Sequence, residues 1–173
     1  MNCELLYVCA MKRQDILILV WLCLQDKKPS QKEISEKLDI SRAAVSYAIE
    51  RCIELNLLDR KKYQVRKQAL LEFIFYGLPY IYPAVIGSIV KGIPTGVSAF
   101  PLNQLFSNEP GYVWATDRAT HTGINIEPLY PSIPAIVLGD ARMYEACSLI
   151  DAIRIGHTRE RVEAYRRLKE IIK

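Results

Sequence analysis

Histidine is scarce in this sequence: His121 and His157 are the only two, and no pair with metal-ligand spacing includes either. The five cysteines, Cys3, Cys9, Cys23, Cys52 and Cys147, are odd in number, scattered, and contain no C-x-x-C pair. That pattern argues against both a disulfide framework and a zinc knuckle. Cys23 and Cys52 fall in apolar helical patterns and are expected to be small core residues, as suits a reducing cytoplasm. The longest unbroken apolar run, Ile16 to Leu24, is nine residues, about half of what a membrane-crossing helix needs. The opening MNCELLYVCA has no basic stretch before its apolar residues and no clear cleavage site, so a cytoplasmic location is expected. GSIVKGIPTG, residues 87–96, has scattered glycines and one lysine but lacks the order G-x-x-x-x-G-K-[ST] that cradles a phosphate, and is read as a loop.

Glycine is missing from the first 76 residues, and only Pro29 precedes Pro79. All eight glycines lie between Gly77 and Gly156, and eight of the nine prolines between Pro79 and Pro134. The first part is therefore free to be helical almost throughout, whereas the middle must be turns and short strands. Two domains follow, residues 1–72 and 73–173. From Asp140 onward proline vanishes again, and two helices are expected, Ala141 to Ile155 and Thr158 to Ile172, divided at Gly156. In the second, Val162, Tyr165, Leu168 and Ile172 make an apolar stripe, and Glu163 lies one turn before Arg167.

What is present is a compact signal between Ser30 and Leu58. Ser30 and Glu33 have the spacing of a capping box, so a helix should begin at Gln31. Ile34 and Leu38 mark its buried side. Asp39 and Ile40 leave room only for a tight turn before Ser41 caps the next helix. There Val45, Ala48, Ile49, Cys52 and Ile53 form a buried stripe, and Arg42, Ala43, Ser46, Tyr47 and Glu50 form the outer side. Two short helices on so short a turn cross steeply and present the second as a ridge that fits a B-form major groove. Arg42 suits guanine or phosphate, small Ala43 permits close approach, and Ser46 and Tyr47 reach a base edge or a backbone oxygen. Glu50 on this side repels phosphate or accepts from a cytosine amine. Downstream, Arg60, Lys61 and Lys62 form a polar tip between apolar flanks, as in a short two-stranded wing lying along phosphates. The helix from Asp15 to Leu24 supplies the wall behind both small helices. The net charge of +4 permits contact with a polyanion without requiring it.

The segment Gln31 to Leu58, with small Ala43 and the pair Val45-Ser46, resembles the helix-turn-helix of MarR-like winged regulators of bacteria and archaea. The resemblance implies that Arg42, Ala43, Ser46 and Tyr47 face the groove and that Arg60, Lys61 and Lys62 form the wing. Gln31 and Ser41, at the two helix starts, complete the candidate DNA contacts. The stretches FYGLPYIYP, GIPTG, INIEPLYPSIP and LIDAIRIGHTRERVEA are similar to a less characterised group of winged regulators. Some of that kind resemble the DNA-binding antitoxins encoded beside nucleotidyltransferase-like toxins.

The second half offers little chemistry. His121 sits in the polar turn DRATHTG, and a base role would need Asp117 and a nucleophile that is not evident. Arg154, Arg159 and Arg161 read either as intrahelical neighbours or as a basic strip beside the wing. Tyr76, Tyr80, Tyr82, Phe100, Phe106, Tyr112, Trp114 and Tyr130 should mostly build a small second core, with a few lining an effector pocket or partner surface. The expected protein is thus α+β: three helices and a short β-wing, then a small mixed C-terminal domain ending in two helices. Its expected function is sequence-specific binding of double-stranded DNA as a homodimer, with no cofactor and no enzyme activity. The rival reading is a winged module that docks a partner protein.

Overall fold

The computed structural model describes residues 10–172, so Cys3 and Cys9 lie outside the described residues. The chain divides into two compact units, Met1–Leu70 and Leu71–Lys173.

In the first unit, α1 (Arg13–Cys23) is apolar around its circumference from Ile16 onward. Ile16 through Trp21 are buried, which makes it the wall against which the next two helices rest. In α2 (Gln31–Leu38) the predicted capping box is formed: Ser30 Oγ accepts from Glu33 N, and Glu33 accepts from Ser30 N at 2.6 Å. Ile34 and Leu38 are fully buried. Asp39 then takes a left-handed conformation with φ 53°, the single step that reverses the chain before Ser41 caps α3 (Arg42–Glu54) through Ala44 N. Val45, Ala48, Ile49 and Cys52 are buried as expected, whereas Ile53 is only half-buried. Burial pushes the thiols of Cys23 and Cys52 up to about 12, so both are inert core side chains.

The wing is smaller than a two-stranded ribbon. It is one antiparallel bridge, Leu58 to Val65, around a turn in which Asp59 N donates to Gln64 O and Tyr63 N donates to Asp59 O. Asp59 Oδ1 accepts from Lys62 N at 2.7 Å, and Tyr63 is left-handed at φ 54°. The local bonds of this tight tip take the backbone groups that longer strands would have paired.

Helix α4 (Lys67–Glu72) continues through a π-helical turn, Phe73–Gly77, into the short α5 (Leu78–Ile81). Pro79 is tolerated because it falls in the first turn of α5. The second unit then builds three strands, β1 (Ile86–Pro94), β2 (Tyr112–Ala115) and β3 (His121–Ile126), which close on themselves. β1 runs antiparallel to both others, and β2 is parallel to β3. The segment read as a glycine-bearing loop, residues 87–96, is therefore mostly strand. Gly92 serves close approach, since a Cβ there would lie 2.1 Å from Trp114 O.

After α6 (Ile133–Ile136) come the two expected helices, α7 (Ala141–Ile155) and α8 (Thr158–Ile171), divided at left-handed Gly156 with φ 88°. The apolar stripe of α8 differs from expectation. Val162 is exposed and Tyr165 half-buried, and the buried line is Ala164, Leu168 and Ile172, four residues apart.

The core of this unit holds a charged cluster. Asp151 on α7 accepts from Arg154 Nη1 at 2.6 Å, Trp114 Nε1 at 2.6 Å and Thr95 Oγ1 at 3.0 Å. Arg154 spends its other donors on the carbonyls of Tyr82, Pro83 and Glu127. Burial pushes the Asp151 carboxyl up from the aspartate range, against the pull of Arg154, Trp114 and Thr95. Arg154 is thus a buried fastener and not part of a basic strip. Arg161 is likewise committed, donating to Phe75 O and lying over the Phe75 ring.

Of the eight aromatics, most of them expected in a second core and a few at a pocket or partner surface, Trp114 and Tyr112 are buried. Tyr82, Phe106 and Tyr130 are half-buried, and Tyr76, Tyr80 and Phe100 are exposed. On α8, Glu163 accepts from Arg166 and Arg167, and these bonds, Arg166 first, hold its carboxyl down at about 2. A depressed carboxyl stabilises the fold above its ordinary value of 4.5 and loses that contribution as pH falls toward 2. Glu163→Gln should therefore lower Tm by about 2–4 °C at pH 7, for roughly 1 kcal/mol after solvent screening. Melts from pH 7 to pH 3 should show the gap to the parent narrowing below pH 4.5; a constant gap would contradict the assignment.

Candidate nucleic-acid interface

The buried side of α3 fixes what its other side can do. Val45, Ala48 and Cys52 are packed to zero exposure, so the helix cannot rotate without opening the core. Its position along its own axis is set by an ion pair that the sequence does not advertise. Arg51, one turn beyond Tyr47, donates from Nε to Asp15 Oδ2 at 2.9 Å and from Nη2 to Asp15 Oδ1 at 2.6 Å. Both side chains are buried, and Asp15 Oδ2 also accepts from Lys12 N at 2.8 Å. The Asp15 carboxylate, ahead of its other influences, raises the Arg51 pKa above the ordinary arginine value. A bidentate pair of this kind has one geometry, so α1 and α3 are fixed in register.

With that side anchored, Arg42, Ala43 and Tyr47 are exposed and Ser46 is half-buried. Tyr47 is 69% exposed, so its ring and hydroxyl are accessible from outside the helix. Ser41 is exposed but its hydroxyl is engaged in the cap, and Gln31 is exposed at the start of α2. Positive backbone density at the α3 N-terminus adds to the Arg42 charge and favours an anion there.

The wing is joined to α3. Arg60 Nη2 lies 2.8 Å from Glu50 Oε2, both side chains being more than half exposed. From the sequence, Glu50 is expected to repel phosphate or to accept from a cytosine amine, and Arg60 to lie along the phosphates. Their pairing reduces both effects. Lys61 and Lys62 remain exposed at the tip.

Two further lysines belong to this surface. The α1–α2 loop carries Lys27 and Lys28, and Lys28 Nζ sits 4.1 Å from the centre of the Tyr63 ring. With Lys62 and Lys67 they line a cleft of about 430 Å³ between loop and wing. Nothing local in the sequence marks these two lysines, because only the hairpin brings Lys28 beside Tyr63. Among the described residues no set of His, Cys, Asp and Glu gathers to hold a metal, and no helix is long and apolar enough to cross a membrane. His121 is exposed at the start of β3, its Nδ1 2.8 Å from Thr120 Oγ1.

Residues 11–64 match the MarR family, a span that covers α1, α2, α3 and the tip of the wing and amounts to about a third of the chain. The match supports a winged-helix, DNA-binding regulator for this part of the chain. No curated protein and no solved structure matches the chain significantly.

Proposed function

We propose that this chain is a sequence-specific double-stranded DNA-binding regulator of transcription, a binding protein and not an enzyme. One observation carries the reading: α3 is locked by its core and by Arg51–Asp15, so that Arg42, Ala43 and Tyr47 face outward beside a lysine-tipped hairpin. The helix enters the major groove, where Arg42, Ser46 and Tyr47 meet base edges. Lys61 and Lys62 track the backbone, and Lys27 and Lys28 extend the phosphate footprint. Gln31 and Ser41, at the helix starts, lie at the groove edge. One such module reads too few bases for selectivity, so two copies occupy an inverted repeat. Occupancy represses the adjacent promoter, in the manner of a repressor or an antitoxin-like regulator. The second unit holds any partner protein.

Selection of bound duplex from a random pool tests this directly, because enrichment of a two-fold symmetric site reports both binding and copy number. No enrichment, with capture of a protein instead, would favour a docking module. Two variants separate the roles. Arg42→Ala should cost roughly 1–3 kcal/mol on the selected site and much less on scrambled duplex. Lys61→Ala should weaken both about equally and lower the slope of affinity against salt by about one ion. Equal losses for Arg42→Ala on the two duplexes would remove its base-reading role.

A further inference from the structure

The second unit leaves an apolar surface uncovered. Tyr76, Tyr80, Ile81, Val85, Ile86 and Ile89 are 50–78% exposed and fall within fourteen residues of one another in sequence. Tyr76 and Tyr80, four apart across the junction of the π turn and α5, share a side. The bulge in β1 does the same for the strand. Ile86 faces Ile126 and Ile89 faces Ile124, so three residues of β1 span two of β3, and both isoleucines emerge on one face. On ordinary side-chain areas the six leave on the order of 700 Å² uncovered, above a typical monomer patch and near the roughly 800 Å² that each partner gives a stable interface.

The same strand has an open edge. β3 pairs with β1 from Ile86 to Gly92, but β2 joins the other edge only at Gly92–Pro94. Residues 86–90 therefore present one row of backbone groups without a strand partner among the described residues. An exposed, apolar, unpaired edge is a template for strand addition. What it adds is restricted by charge, because Phe73 to Val90 contains no charged residue and offers a charged partner nothing to select.

We infer that this edge and face join a second copy of the same chain, the two β1 strands meeting about a two-fold axis near Ser88. A two-fold contact of this kind is self-complementary, so one surface suffices for both partners. The inference deepens the reading of two copies on DNA by naming where they join. Its test uses no DNA, so the two readings fail separately.

Light scattering on the eluted full chain at tens of micromolar should give a dimer. Ile89→Lys should weaken it about a hundredfold or more, because the charge is buried unpaired at the centre of the contact. Far-ultraviolet circular dichroism checks that the variant is folded. Independently, with Cys3 and Cys9 replaced by serine, Ser88→Cys should form a disulfide with its own copy under mild oxidation, and Gln104→Cys should not. A monomeric parent, a folded Ile89→Lys dimer, or equal cross-linking from positions 88 and 104 would each overturn the inference. If Ile89→Lys fails to fold, the cross-linking result decides.

Discussion

Arg51→Met is expected to cost about 3–5 kcal/mol of stability and, with it, most DNA binding at 37 °C. The reason is the partner it abandons. Asp15 is fully buried on α1, and without the guanidinium its carboxylate keeps only the Lys12 amide. A buried charge stripped of its counter-ion costs several kcal/mol, which is a large share of what an ordinary domain has in reserve. Arg51→Lys should fall between parent and Met, since an ammonium keeps the charge but cannot reproduce two parallel bonds in a fixed plane. The double replacement Asp15→Leu with Arg51→Met should recover most of the loss, because it removes both charges together. Urea unfolding followed by circular dichroism measures all three. A cost below about 1 kcal/mol for Arg51→Met would mean that packing alone places α3.

The double variant also separates stability from positioning. If it regains stability but binds its selected duplex with altered preference, the ion pair sets the register of α3 and does more than hold the unit together. Apolar burial prescribes no bond direction, whereas the Arg51–Asp15 bonds at 2.6 and 2.9 Å do. Unchanged preference would reduce the pair to a stabilising contact.

The Ser30–Glu33 box, the Ser41 cap and the turn at Gly156 were legible because each is complete within a few residues. The exposed side of α3 was legible because helical periodicity separates it from Val45, Ala48, Ile49 and Cys52. Arg51 lies 36 residues from Asp15, and in sequence each is one more surface charge. The Glu50–Arg60 pair is hidden for the same reason, since it joins residues ten apart on different elements. In the second unit the glycines of β1 suggested a loop, because a close strand crossing at Gly92 and a turn make the same demand for a missing side chain. Arg154 read as one of several basic residues on a helix. Only the return of Tyr82, Pro83 and Glu127 to its side makes it a core residue.

Arg154→Met is expected to destabilise the second unit by about 3–5 kcal/mol at pH 7, and by clearly less near pH 4. At neutral pH the substitution leaves the Asp151 carboxylate in a fully buried site with only Trp114 Nε1 and Thr95 Oγ1 to hold it, and frees three carbonyls from their donor. The carboxyl, already raised by burial, must rise further once Arg154 no longer opposes that effect. The sign of the pH dependence follows from that. Below the unfolded value of about 4, aspartate is protonated in both states and the charge penalty vanishes. As pH climbs through that value the unfolded chain ionises first, so the variant loses stability relative to the parent until the folded group ionises too. Asp151→Asn should behave differently, with a loss that does not fade in acid, because the amide is neutral at every pH and the charge left without its partner is the Arg154 guanidinium, which does not titrate in this range. Melting curves of the three proteins between pH 4 and pH 7.5 distinguish these cases. A loss for Arg154→Met that is the same at both ends would show that the carbonyl bonds to Tyr82, Pro83 and Glu127, and not the buried charge, are what Arg154 contributes.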